Sequence, residues 1–475
     1  MQLAHRTRNA QLRPGVAAGH PATAATGINV LEAGGNAVDV AVAMMLTACT
    51  AETVYTGLGG GGFALVYEAG TGTVTCVDFF VAVPGLSGRV PGEMVPITIE
   101  FGGQDLPYTI GAASAAVPGI PRGAEHLHQR WGSVPWQQIC APALEAARKG
   151  VIFTREHALT LQSIWECMGM GLGDRIHRRP DGEIIRPGDK LRVPNLAAAL
   201  SVLSSDGAEP FYTGEVAHAM LHALGEERAL DPEDLAAYAV LETSPRVAEL
   251  DGARIHARGD DLDDLLGTLE HLQAGGFAGE TCRDPDAAIA MVAALRAVPR
   301  RTETTNLAAC DTDGNVCVIT TSLGLGTGVW VPEYGIHPNS MLGEGELIRP
   351  GTFPGSRMGS MMSPLLVTDE DGPLLAAGAA GGSRIRSSLA QVVLGVLAGG
   401  REIHEAIESP RLNPVGDVVR LEPGFDEAVI AALRAAGEDL VVLDDLHPYF
   451  GGVSGISRDA AGADPRRGGI AITLT

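Results

Sequence analysis

The sequence predicts an α/β unit of α+β type, with helices and antiparallel strands interleaved rather than split into separate domains. Two observations carry this. Most helical patterning lies in the first two thirds of the chain, whereas the remainder opens on paired apolar runs joined by turn residues. No repeat period, low-complexity tract or long linker separates the two parts.

The elements follow in order. In ATAATGINVLEAGGNAVDVAVAMMLTACTAE small and apolar residues recur three and four apart, which predicts two packed helices around Gly34–Asn36. TGLGGGGFALVYEA is a glycine run entering a strand, and TVTCVDFF is a second strand. From Gly123 to about Leu224 the pattern is mostly helical, broken by RRPDGEIIRPGD. Residues 230–257 read as a short helix and then one strand, VAELDGARIHA; DDLDDLLGTLEHLQ and DPDAAIAMVAALRAVPR read as helices. At Thr304 the character changes. TTNLAACDTDGNVCVITTSLG is a hairpin with Asp313-Gly314 at its turn. MMSPLLVTDEDGPLLAAGAAGG repeats that layout around Glu370-Asp371-Gly372, and a helix follows. The end, GGVSGISRDAAGADPRRGGIAITLT, reads as another hairpin.

Composition sets limits on function. With 475 residues and 45% hydrophobic content the chain can bury a large core. Its 34 basic and 57 acidic side chains give a net charge of −23, which disfavours nucleic acid and anionic membrane surfaces as partners. The seven cysteines are odd in number and show no C-x-x-C spacing, so buried reduced thiols are expected rather than a disulfide or zinc framework. The thirteen histidines form no H-E-x-x-H pattern, and TGLGGGGF lacks the lysine and strand–helix layout of a phosphate loop. No metal and no cofactor is therefore expected. The first residues lack an apolar signal core, and no run reaches the roughly 18 apolar residues of a membrane span. A soluble, cytoplasmic protein is the expectation.

Thr304 is the candidate nucleophile. A threonine hydroxyl inside a chain is a poor nucleophile, but at a chain's first position its own α-amine, which titrates at about 8, can accept the proton. VPRRTE-TTNLAACD has the required form, a polar segment followed by a threonine at a strand start. A pair of β-forming threonines is the plain alternative. Gly381-Gly382, at a strand end before a helix, would let backbone N–H groups approach a reacting carbonyl as an oxyanion hole; a tight turn is the competing explanation. Ser322, on the returning strand, could face Thr304 or be an ordinary strand serine. GSMMSP is a further turn entering a strand.

These motifs, with GIHPNSML between them and LEAGGNAVDVAVAM, TGLGGGGFALVYEA, AAVPGIPRGAEHLHQRWG and CAPALEAARKG before them, resemble the γ-glutamyltransferase (γ-glutamyltranspeptidase) family over nearly the whole chain. The resemblance implies a four-layer αββα N-terminal-nucleophile hydrolase sandwich, made as a proenzyme. Self-cleavage between Glu303 and Thr304 would yield a large subunit 1–303 and a small subunit 304–475 that interleave. Thr304 matches the nucleophile, Thr305 the second threonine, Ser322 the supporting hydroxyl, and Gly381 and Gly382 the oxyanion pair. Asn306 replaces a histidine of the family. The implied reaction is ping-pong acyl transfer through an ester on Thr304.

The acyl-binding positions depart from the family. Phe80 stands where an arginine binds the substrate carboxylate. Gly324 replaces an asparagine and Met341 a glutamine. Ser360 is retained while Met361 replaces a second serine, and Glu344 matches the amine-binding acid. Phenylalanine cannot replace a bidentate arginine, so retained acyl-transfer machinery with an altered acyl preference is expected. Arg384 or Arg386 reaching the carboxylate from elsewhere is the alternative. Three functions are weighed: a small-molecule amide hydrolase or acyltransferase of this type, an acylase or C–C bond hydrolase of specialised metabolism, and an unprocessed binding scaffold. The last needs none of Thr304, Ser322, Gly381 and Gly382. Beyond pairing of the two subunits, further homo-oligomerisation is left open.

Overall fold

Two antiparallel sheets lie face to face in the computed structural model, which describes residues 11–259, 264–277, 279–297 and 304–474. The first sheet contains β1 (Gly15–Ala18), β2 (Gly61–Glu68), β3 (Thr73–Phe79), β4 (Leu241–Thr243), β7 (Thr305–Cys310), β8 (Val316–Ser322) and β13 (Ile470–Thr473), in the order β13-β1-β7-β8-β2-β3-β4. The second contains β5 (Arg246–Leu250), β6 (Ala253–Ala257), β9 (Leu365–Asp369), β10 (Gly372–Ala380), β11 (Gly452–Ser457) and β12 (Ala461–Ala463), in the order β12-β11-β10-β9-β6-β5. Strands from both sides of Thr304 occur in each sheet, so neither part of the chain could form its sheet alone.

The alternation along β7 explains the layers. Leu307 and Ala309 face the helices over the first sheet, while Ala308 and Cys310 face the second sheet and meet Val318, Leu366, Ala376 and Ile456. Over the first sheet lie α1 (Pro21–Glu32) and α2 (Ala37–Ala51); over the second lie α3 (Leu265–Ala274), α4 (Pro285–Arg296) and α5 (Ile385–Leu397). This is the expected αββα sandwich. Every residue of α2 is buried, as a helix apolar all round requires. It packs against the sheet, α1 and the helices Ile120–Trp131 and Trp136–Lys149. Its start is fixed by a capping box between Asn36 and Asp39, worth about 1 kcal/mol.

The Asp313-Gly314 turn joins β7 to β8 as expected, with Gly314 at φ 85°. Two readings need correction. VAELDGARIHA is not one strand but the hairpin β5–β6, because Asp251 and Gly252 both adopt positive φ and turn the chain. At the C-terminus β11 pairs with β12, but β13 leaves for the other sheet and pairs with β1. A third feature escaped the sequence reading although the alternating runs VPITIE and DLPYTI around Gly102-Gly103 signal it: residues Val95–Glu100 and Asp105–Ile110 form a separate two-stranded hairpin. All seven cysteines are buried and none is in a disulfide, and among the described residues no helix is long and apolar enough to cross a membrane.

Candidate active site

Thr304 heads β7 and is 3% exposed. By the alternation of β7 its side chain faces the second sheet, where the Gly381 amide donates to Thr304 Oγ1 at 3.2 Å. Gly381 follows directly on β10 at φ 124°, and a Cβ there would lie 2.6 Å from Gly451 Cα. Gly382 follows at φ 56°, so both glycines are required by backbone conformation, and Gly381 by space as well. A short turn at 382–384 then leads into α5. Thr305 pairs with Thr321, and one further step of that register sets Thr304 opposite Ser322. The Ser322 hydroxyl accepts from the Gly324 amide at 2.9 Å, which ties it to its own turn. The structure thus brings Thr304, Ser322, Gly381 and Gly382 to one place. Glu303, the other side of the expected cut, lies outside the described residues.

On the opposite face of β7 the Thr305 hydroxyl donates to Glu52 at 2.5 Å. Glu52 ends α2, is 1% exposed, and also accepts from Thr23 at 2.7 Å. Burial pushes its carboxyl above the usual range, against the hydrogen bonds from Thr305 and Thr23 and the charge of Arg467. Arg467 lies over the Tyr55 ring and donates to the Pro448 carbonyl. Sequence reasoning missed both Glu52 and Arg467. A lone acid in the apolar run ACTAETVY was the available signal for the first; Arg467 had none. The histidines of this region, His20 and His157, are held neutral by burial, His20 down to about 4. Asn306, in the family's histidine position, accepts from Thr320 at 2.7 Å and donates to the Ser454 carbonyl at 3.1 Å, stitching the two sheets together.

The six acyl-pocket candidates divide. Phe80, Met341 and Met361 are 1–2% exposed and belong to one apolar cluster with Phe63, Met358 and Met362. Ser360 is buried beside them, and its hydroxyl accepts from the Met362 amide. Arg258, which the sequence did not single out, lies 3.5 Å over the Phe63 ring and donates to the carbonyls of Ser360 and Met362. Gly324 and Glu344 form the second group: a Cβ on Gly324 would come 2.5 Å from Glu344 Oε1. Glu344 and Arg384 both line a cavity of about 220 Å³. Arg384 donates to the Tyr449 carbonyl and to Ser383, whereas Arg386 is turned toward α4, where it donates to the Leu295 carbonyl. Among the described residues no group of His, Cys, Asp or Glu is placed to hold a metal ion.

The family model for γ-glutamyltranspeptidase matches residues 23–263 and 279–474. The chain belongs to the γ-glutamyltranspeptidase family. It is 25% identical to the glutathione hydrolase proenzyme of Bacillus subtilis, over 94% of this chain and 90% of that one. It is equally similar, at 25%, to the acylase ACY 1 proenzyme of a Pseudomonas strain, over 90% of this chain and 87% of the other. The cephalosporin acylase of Bacillus halodurans shares the fold at a TM-score of 0.82, with 22% identity, covering 100% of this chain and 99% of the other. The protein is accordingly an enzyme of the N-terminal-nucleophile class, a γ-glutamyltransferase-like amide hydrolase or acyltransferase.

Proposed function

We propose that Thr304 is the nucleophile of this family member, freed by self-cleavage after Glu303 into chains 1–303 and 304–475. The observation that carries the reading is the Gly381 amide aimed at Thr304 Oγ1 at the head of β7. In the cleaved enzyme the α-amine of Thr304 takes the hydroxyl proton as Oγ1 attacks the substrate carbonyl. The amides of Gly381 and Gly382 stabilise the resulting oxyanion, and removal of one such donor typically costs about 10²–10³ in rate. The amine leaves with the proton, and water or a second amine resolves the ester. Ser322 supports Thr304 from the neighbouring strand, and Glu344 supplies the acid for a substrate amine.

The acyl group is one other than γ-glutamyl. Phe80, Met341 and Met361 fill the position expected for a substrate carboxylate with one buried apolar cluster, and the Arg258 guanidinium beside it donates to main-chain carbonyls. This favours the acylase reading over glutathione hydrolysis. The substrate is a small-molecule amide. A reducing, cytoplasmic setting is in keeping with seven buried cysteines, none of them in a disulfide. Purified protein should resolve on a denaturing gel into two pieces split before Thr304, and Thr304→Ala should stay whole. A wild-type chain that remains intact after long incubation refutes the self-processing step. γ-Glutamyl p-nitroanilide turned over as fast as by a glutathione hydrolase refutes the altered pocket.

A further inference from the structure

The turn that brings Gly381 to Thr304 continues into Ser383 and Arg384, and these two residues form one wall of the cavity of about 220 Å³. Glu344, Gly345 and Glu346 form a second, acidic wall. The third comes from the hairpin Val95–Glu100/Asp105–Ile110, through Leu106, Pro107 and Tyr108. This hairpin belongs to neither main sheet, yet it is pinned at both ends. At its tip Arg420 donates to the carbonyls of Gly102 (3.2 Å) and Gly103 (2.9 Å), and the Tyr449 hydroxyl donates to Gln104. At its base Thr109 donates to the Gly343 carbonyl at 3.0 Å, and a Cβ on Gly343 would lie 1.7 Å from Thr109 O. The wall is therefore held in a fixed place. The cavity has room for about seven waters at roughly 30 Å³ each, which is the size of one compact side chain.

We propose that this cavity receives the side chain of the acyl group, and that Leu106, Pro107 and Tyr108 select a compact apolar or aromatic body. The proposal rests on the acyl-enzyme reading of Thr304. A leucine, a proline and a tyrosine offer dispersion contacts and a ring face but no cation to pair with a carboxylate. Arg384 is engaged with the Tyr449 carbonyl and Ser383 and lies against the rings of Phe101 and Tyr449. Arg420 is a positioning residue: it touches the hairpin tip and acts on the substrate only by keeping the wall in place.

The test compares 4-phenylbutanoyl and butanoyl p-nitroanilides, which differ by one ring at the end of the acyl chain. The adduct on the chain beginning with Thr304 is weighed, and kcat/KM is measured for both. The expected result is a phenylbutanoyl adduct and a preference of at least about tenfold for the aryl substrate, the scale on which apolar pockets discriminate. In self-cleaved Tyr108→Ala and Arg420→Ala the ratio between the two substrates should fall at least fivefold, chiefly through KM. Arg420→Lys should restore part of it, which a merely damaged fold would not show. A self-cleaved wild-type chain without aryl preference, or one whose preference survives both alanine variants, overturns the pocket and leaves Thr304 as nucleophile. A chain that never cleaves overturns the nucleophile reading, and the pocket with it.

Discussion

Thr305→Val is the sharpest probe of how the strand carrying Thr304 is held. Valine keeps the shape of threonine and removes one hydroxyl, which donates to Glu52 at 2.5 Å. Glu52 is 1% exposed and, among the described residues, accepts from Thr23 as its second side-chain donor. A hydrogen bond to a buried charged acceptor is worth about 1.5–3 kcal/mol and one between neutral groups about 1 kcal/mol. Thr305→Val should therefore cost about 2 kcal/mol in the native background and about 1 kcal/mol in the Glu52→Gln background. The coupling of about 1 kcal/mol is the signature of direct contact. Burial raises the Glu52 carboxyl in the folded state, so its contribution to stability is fully present below the unfolded value near 4.5 and is lost as pH rises through the folded value. Removing the Thr305 donor raises that carboxyl further, so the cost of Thr305→Val should be larger where Glu52 is ionised than where it is protonated, and so should grow as pH rises through its folded value. Urea unfolding of all four combinations, in a Thr304→Ala chain so that one polypeptide unfolds, measures these values. Equal cost of Thr305→Val in both backgrounds, or no growth of the cost with pH, refutes the pairing.

Two further outcomes follow from the geometry. Gly381→Ala should slow acylation by about 10²–10³, because φ 124° and a Cβ 2.6 Å from Gly451 Cα force the turn away from Thr304; adduct formation followed by mass spectrometry reads this, and an unchanged rate removes Gly381 from the machinery. Glu422→Gln should destabilise by about 3–5 kcal/mol, since Glu422 and Arg466 are fully buried partners and the change strands a charge; a shift below about 1 kcal/mol in urea unfolding would show that Asp464 alone satisfies Arg466.

What could be read from the sequence divides along physical lines. The β7–β8 hairpin was legible because its turn residues and apolar runs are contiguous, and the strand register then follows over a few residues. Gly381 and Gly382 were legible because positive φ leaves glycine as the residue of choice. The β5–β6 hairpin was missed because Asp251-Gly252 interrupts an otherwise continuous β pattern by only two residues. The destination of β13 was missed because nothing local records which sheet a strand joins. Glu52 and Arg467 escaped for a related reason. Glu52 is placed by Thr305 and Arg467 by Tyr55, partners far away in the chain. The apolar departures at Phe80, Met341 and Met361 were read as lining a pocket; the structure places all three in one buried cluster instead.

That last displacement bears on the substrate more than on the fold. Had Phe80 alone replaced an arginine, a cavity or an unpaired acceptor would mark the loss. Instead Phe80 packs on Phe63 with ring centroids 5.4 Å apart, and the methionines at 341, 358, 361 and 362 close around the pair. Methionine is the side chain best able to fill such an irregular space. The nearby guanidinium, Arg258, covers the other ring and donates to two carbonyls on the Ser360–Met362 turn. A carboxylate entering here would have to open a packed apolar cluster and take Arg258 from its carbonyls, leaving those acceptors buried without a donor. Each such acceptor costs about 1–3 kcal/mol, which would offset much of what a carboxylate–guanidinium contact gains. The free volume near the nucleophile turn lies elsewhere, between Arg384, Glu344 and the hairpin that carries Tyr108. Under the proposed acyl-enzyme reading, this cluster fills the position expected for a carboxylate, and the acyl side chain is left to the wall the hairpin builds.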